Sequence, residues 1–93
     1  MGDIKGKNVL IFGAGDVGEM VVREIKRNKA LNYNPVGFID DDPKKKGSRI
    51  QGVSVLGALG KIRNLIQEND VQEIIVAIPA IDVADLSEIA KVC

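Results

Sequence analysis

The chain has 93 residues, 45% of them hydrophobic, and its 13 basic and 13 acidic side chains cancel to no net charge. That length suits one small domain burying about 60 to 65% of its unfolded surface, and a neutral balance supplies no bulk field to draw nucleic acid or an anionic membrane, so no nucleic-acid partner is expected. With Cys93 as the one cysteine and no histidine, neither an internal disulfide nor an ordinary zinc site is supported, and no apolar run reaches the roughly 18 residues of a membrane span.

The start MGDIKGK carries no apolar segment of signal type. Val9 to Phe12 is a short apolar run ending at a glycine, the pattern of a buried parallel strand. After Gly15 the period changes: Val17, Met20, Val21 and Ile25 recur at three and four, which predicts a helix with those residues inward. The helix should fade across Asn28 to Asn34, before Pro35. Val36 to Ile39 then reads as a second buried strand, closed by the acidic turn Asp40-Asp41-Asp42-Pro43.

Lys44 to Ile50 reads as a polar loop, and Gly52 to Gly57 as a short third strand at one side of the sheet. Leu59, Ile62, Leu65 and Ile66 mark a second amphipathic helix ending near Asn69 and Asp70. Glu73 to Ile78 is the strongest buried-strand signal in the chain, and Pro79 stops it. A last helix is expected with Val83, Leu86, Ile89 and Ala90 inward. It runs into the final residue without a cap, as expected for a domain cut from a longer protein.

Strands alternating with helices predict an α/β fold, a three-layer α/β/α sandwich around a mainly parallel four-stranded sheet of order 3-2-1-4 with right-handed crossovers. Within it, Gly13-Ala14-Gly15-Asp16-Val17-Gly18 lies between the first strand and the first helix, at the spacing of a dinucleotide-binding loop. Gly13 would turn the chain off the strand, Gly15 would leave backbone bare for a pyrophosphate, and Gly18 would let the helix pack close to the sheet. The phosphates would meet free amides at the helix start, where the charge of Asp16 favours the helix but opposes an anion if it points inward.

Asp40 follows about twenty residues beyond Gly18, where a carboxylate accepts from ribose hydroxyls and repels a 2′-phosphate, favouring NAD over NADP. Asp41 beside it joins the candidate set, as do Ile78 and Pro79 at the carboxyl end of the fourth strand. Lys44, Lys45 and Lys46 read as a solvated loop, with a fold over the site as the alternative. The blander account gives the glycines to packing and Asp40 to the turn. No histidine, nucleophile elbow or facing pair of carboxylates is legible, so no catalysis is expected from these residues alone.

The stretches VLIFGAGDVGEMVVREI, NPVGFIDDDPKKKGSRIQGVSVLG and VQEIIVAIP together resemble the small Rossmann-like domain of membrane-associated polysaccharide biosynthesis proteins, the nucleoside-diphosphate-sugar 4,6-dehydratase and epimerase group. That resemblance implies an accessory, NAD(H)-type nucleotide pocket, with NADP or CoA as alternatives. It also implies a cytoplasmic domain whose parent carries a catalytic short-chain-dehydrogenase-like domain and inner-membrane helices, with a homo-oligomer as one option. The glycine loop, FIDDDP and AIPA are also similar to the NADH-sensing domain of bacterial redox-responsive repressors and, more distantly, to CoA-binding domains. A regulatory module or a non-binding interaction domain therefore stays open.

Overall fold

The computed structural model describes residues 6–78. Pro79, the expected last helix and Cys93 lie outside the described residues. The elements are β1 (Lys7–Phe12), α1 (Asp16–Arg27), β2 (Tyr33–Ile39), β3 (Arg49–Ile50), β4 (Val53–Gly57), α2 (Ile62–Glu68) and β5 (Glu73–Val76), with single turns of 3-10 helix at Lys29–Leu31, Pro43–Lys45 and Leu59–Lys61. They form the expected three-layer Rossmann-like sandwich.

β1 is central because all four of its last side chains are apolar and each sheet face takes two of them. Val9 and Ile11 pack with Val22 and Ile25 of α1, Phe38 and Val55, while Leu10 and Phe12 pack with Ile39, Leu59, Ile62 and Leu65 on the α2 face. Complete burial of such side chains contributes about 1.5 to 3 kcal/mol each.

The sheet corrects the expected topology, since it has five strands in the order β3-β4-β2-β1-β5 rather than four in the order 3-2-1-4. The four anticipated strands hold their relative places, and the addition is β3, paired antiparallel to β4 through Arg49–Ser54 and Ile50–Val53. The hairpin closes on Gln51 and Gly52, both at positive φ (54° and 80°), the conformation of a two-residue turn matched to strand twist.

β2 starts at Tyr33 rather than Val36, carrying Pro35 inside a strand. A register irregularity between Val9 and Leu10 absorbs the proline, which has no N–H for the ladder.

Two burial expectations change. On α1 the buried residues are Gly18, Val22 and Ile25, whereas Val17 is 40% and Met20 62% exposed. The reason is Gly18: a Cβ there would lie 1.9 Å from the Gly13 carbonyl oxygen, so only this glycine face can approach the sheet so closely, and it sets the rotation of the helix. β5 is only half-buried, with Val76 exposed, because among the described residues it pairs with β1 alone.

Candidate functional site

The glycine loop leaves β1 at Gly13, whose φ of 116° belongs to the region side chains avoid. Its N–H donates to the Ile39 carbonyl at 2.8 Å, tying the loop to the end of β2. A Cβ at Gly13 would meet Ile78 Cγ2 at 2.5 Å and the Ala77 oxygen at 2.7 Å. Gly13 and Gly18 are therefore explained by the fold itself.

Gly15 is not. A Cβ there would find nothing within 4 Å, and its φ of −97° is open to any residue. It is the N-cap of α1 and supplies no side-chain hydrogen bond to the first turn. The helix thus begins with bare backbone facing open space, where first-turn amides and the positive end of the helix dipole favour an anion.

Asp40 stands opposite, at the end of β2. Its Oδ2 accepts the Ala14 N–H at 2.9 Å, its Oδ1 accepts the Asp42 N–H at 2.9 Å, and the Lys45 ammonium lies 3.7 Å from Oδ2. Burial pushes this carboxyl up, but the two amides and the Lys45 charge outweigh burial and hold it below the ordinary carboxylate value. The group is an anion held in one orientation, and its side chain remains 18% exposed.

Gly13, Gly15, Asp16, Val17, Asp40 and Ile78 line one cavity of 420 Å³ together with Lys45 and Ala77. The volume falls within the roughly 300 to 1,000 Å³ of small-molecule sites. Ala14 contributes its N–H to Asp40 while its side chain is buried, and Gly18 lies beneath the loop. Asp41 turns away: its Oδ1 accepts the Leu59 N–H at 2.8 Å, fixing the turn that leads into α2.

Lys45 reaches the cavity, the alternative to the solvated loop in the sequence reading. Asp42 caps the turn by accepting the Lys44 N–H, and the Lys45 N–H donates to the Asp42 carbonyl, so the chain folds back over Asp40. The signal for that fold was the Asp-Pro pair, which favours such a turn. Other hollows lie near the amino ends of β1 and β2, beside Tyr33 and Gly52 (360 Å³) and beside Gly6, Asn8 and Asp70 (510 Å³). Ligands of open α/β sheets bind at the carboxyl ends, where the glycine loop is.

The residues present suit a nucleotide cofactor: bare backbone where a pyrophosphate would lie, and an ionised carboxylate across the crevice where ribose hydroxyls would donate. Among the described residues no cluster of metal-ligating side chains is present, and no helix is long and apolar enough to cross a membrane.

Known proteins share this architecture. The capsular polysaccharide biosynthesis protein CapD of Staphylococcus aureus is 34% identical over 91 residues, which is 97% of this chain and 15% of that protein. The probable polysaccharide biosynthesis protein EpsC of Bacillus subtilis (strain 168) is 36% identical over 84 residues, 90% of this chain and 14% of that protein. The chain thus spans only a small part of these relatives. The crystal structure of UDP-D-quinovosamine 4-dehydrogenase from Vibrio fischeri matches with a TM-score of 0.83 at 27% identity, over 94% of this chain and 72% of that one.

RSP, a Rex-family repressor solved in complex with β-NAD⁺ and operator DNA, matches with a TM-score of 0.77 at 22% identity, over 94% of this chain and 40% of that chain. At that identity the likeness carries the fold alone. It nevertheless corrects the exclusion of nucleic acid drawn from charge, because a protein containing this fold is found on DNA. A neutral total describes the average field of one domain, not the company that domain keeps.

The family model for the CoA-binding domain matches residues 4–93. Its fold and relatives are those of nucleotide-cofactor-binding domains, without fixing one cofactor. By that match and by its Rossmann-like fold, the chain belongs to the CoA-binding domain family, in the company of nucleoside-diphosphate-sugar polysaccharide biosynthesis proteins.

Proposed function

We propose that the chain is an accessory nucleotide-binding domain of NAD(H) type, working in a nucleoside-diphosphate-sugar dehydratase or epimerase of polysaccharide biosynthesis. The observation that carries this reading is Gly15, whose bare backbone opens on the cavity opposite the Asp40 carboxylate. Gly13, Gly15, Asp16 and Val17 form the phosphate side of the site, while Ala14 and Gly18 hold the loop in place from behind. Asp40 accepts from the adenosine ribose, and Ile78 supplies an apolar rim for adenine or ribose; Pro79, assigned to the same rim by the sequence, lies outside the described residues. Asp41 holds the turn into α2 through the Leu59 N–H and stands outside the cavity.

The identity to CapD and EpsC supports the biosynthetic setting. Catalysis and any membrane anchor belong to other parts of a longer protein, and this domain works on the cytoplasmic side. A bound cofactor would supply an adenosine diphosphate anchor here. These residues hold and orient it and carry out no bond-making step.

A second reading, a CoA- or NADH-responsive regulatory module, is favoured by the family match and by the NADH complex of the RSP repressor. Calorimetry of the chain against NADH, NAD⁺, CoA and a UDP-sugar separates the two. Binding of NAD⁺ and NADH alike in preference to CoA supports the first reading, whereas preference for CoA, or for NADH over NAD⁺, supports the second. No heat with any of the four refutes both and leaves an interaction domain.

A further inference from the structure

Resting on the nucleotide reading above, the geometry points to Lys45 as the residue that discriminates the charged part of the ligand. We propose that its ammonium grips the diphosphate, while Asp40 holds the ribose.

Three observations carry this. Lys45 is the one cation lining the glycine-loop cavity among the described residues, and it shares that lining with two carboxylates, Asp16 and Asp40. A diphosphate entering without a counter-charge would face both acids, with only the helix start in its favour.

Next, the Lys45 ammonium is held near Asp40 without being consumed by it. At 3.7 Å the pair is beyond ordinary hydrogen-bond length, and the side chain is 38% exposed. Its donors can therefore turn to a phosphate oxygen while Asp40 stays fixed by the Ala14 and Asp42 amides.

Finally, the turn that presents Lys45 is built rather than loose. The Asp42 N–H is held by Asp40 Oδ1, the Lys44 N–H by Asp42 Oδ1, and the Ser48 N–H by the Lys45 carbonyl. Lys44 and Lys46 sit on the same turn but are exposed and do not line the cavity. The same anchoring makes the site a matched pair, with one carboxylate for hydroxyls and one ammonium for phosphate. It suits an unphosphorylated ribose joined to a diphosphate.

The test is calorimetry of the chain and its Lys45→Met, Lys45→Arg, Lys44→Met and Lys46→Met variants with adenosine and with ADP. Lys45→Met should weaken ADP by about tenfold, the scale of one charge-assisted contact. It should leave adenosine unchanged, while Lys45→Arg retains most of the ADP affinity. Lys44→Met and Lys46→Met, which lower the net charge equally, should shift ADP by less than about twofold. Equal loss of ADP and adenosine in Lys45→Met, no loss of either, or an equal ADP loss in Lys44→Met overturns the assignment of Lys45 while leaving a nucleotide site in place. A parent chain that binds neither probe overturns both.

Discussion

Asp40 Oδ2 accepts the Ala14 N–H at 2.9 Å across 26 residues of sequence, joining the tip of β2 to the turn out of β1. One carboxylate therefore braces the glycine loop and faces the cavity that the loop borders. Asp40→Asn keeps the volume but leaves a single acceptor for the Ala14 and Asp42 amides. Urea denaturation should show a loss of about 1 to 3 kcal/mol, the cost of stranding a partly buried polar group. In the same variant the preference for NAD⁺ over NADP⁺ should fall by about tenfold as the repulsion of a 2′-phosphate disappears. An unchanged preference would remove Asp40 from the ribose side of the site.

Acid should expose the same residue. The folded Asp40 carboxyl lies below its ordinary value of 3.8, so above that value both folded and unfolded states are ionised and its contribution is complete. As the pH falls below 3.8 the unfolded chain takes up the proton first, stability declines, and the contribution is gone once the pH has passed the folded value. Denaturation midpoints measured from neutral pH down through that window should therefore converge for the parent chain and Asp40→Asn. Midpoints that stay a constant distance apart would contradict this account.

Asp41 is the contrasting neighbour. Its carboxylate accepts the Leu59 N–H at 2.8 Å, closing the turn before α2 rather than facing the cavity. Asp41→Ala should lower stability by about 0.5 to 2 kcal/mol, as for loss of a side-chain cap, and leave ADP affinity within about twofold. A large loss of affinity with no change in stability would return Asp41 to the ligand.

From Val9 to Asp40 the order of strand, glycine turn, helix, strand and acid was legible in the sequence because each piece obeys a local rule: an apolar run, a glycine spacing, a helical period, an acid after the second strand. What escaped depends on contacts between distant residues. The rotation of α1 follows from Gly18 resting on the Gly13 carbonyl, which no period announces, so Val17 and Met20 looked inward and are exposed. β3 is only two residues long and lies in a charged segment, and its two-residue turn is Gln51-Gly52 rather than the Asn-Gly or Asp-Gly that announces a hairpin. β5 is as apolar as a central strand, but its burial depends on neighbours and not on its own composition. The approach of Lys45 to Asp40 needs the chain after the Asp42 turn to fold back over the end of β2; the strand and the acidic turn were legible, but the lysines beyond them read as a solvated loop, with a fold over the site as the alternative.

The glycines of the loop should separate fold from ligand by mutation. Gly18→Ala places a Cβ 1.9 Å from a backbone oxygen that cannot swing aside. The helix must lift, and stability should fall by about 1 to 3 kcal/mol or more, the range of overpacking. Gly15→Asp meets open space and provides the side-chain acceptor that α1 lacks at its N-cap. Its thermal unfolding should match or slightly exceed that of the parent, with a gain of about a few tenths of a kcal/mol. ADP binding should nevertheless be lost, because the new carboxylate takes the first-turn amides and adds a charge where phosphate would lie. Thermal melts and ADP titrations of the two variants check both halves. If Gly15→Asp folds well and still binds ADP as the parent does, the open backbone at Gly15 is not a phosphate site, and only Gly13 and Gly18 keep a role, in packing.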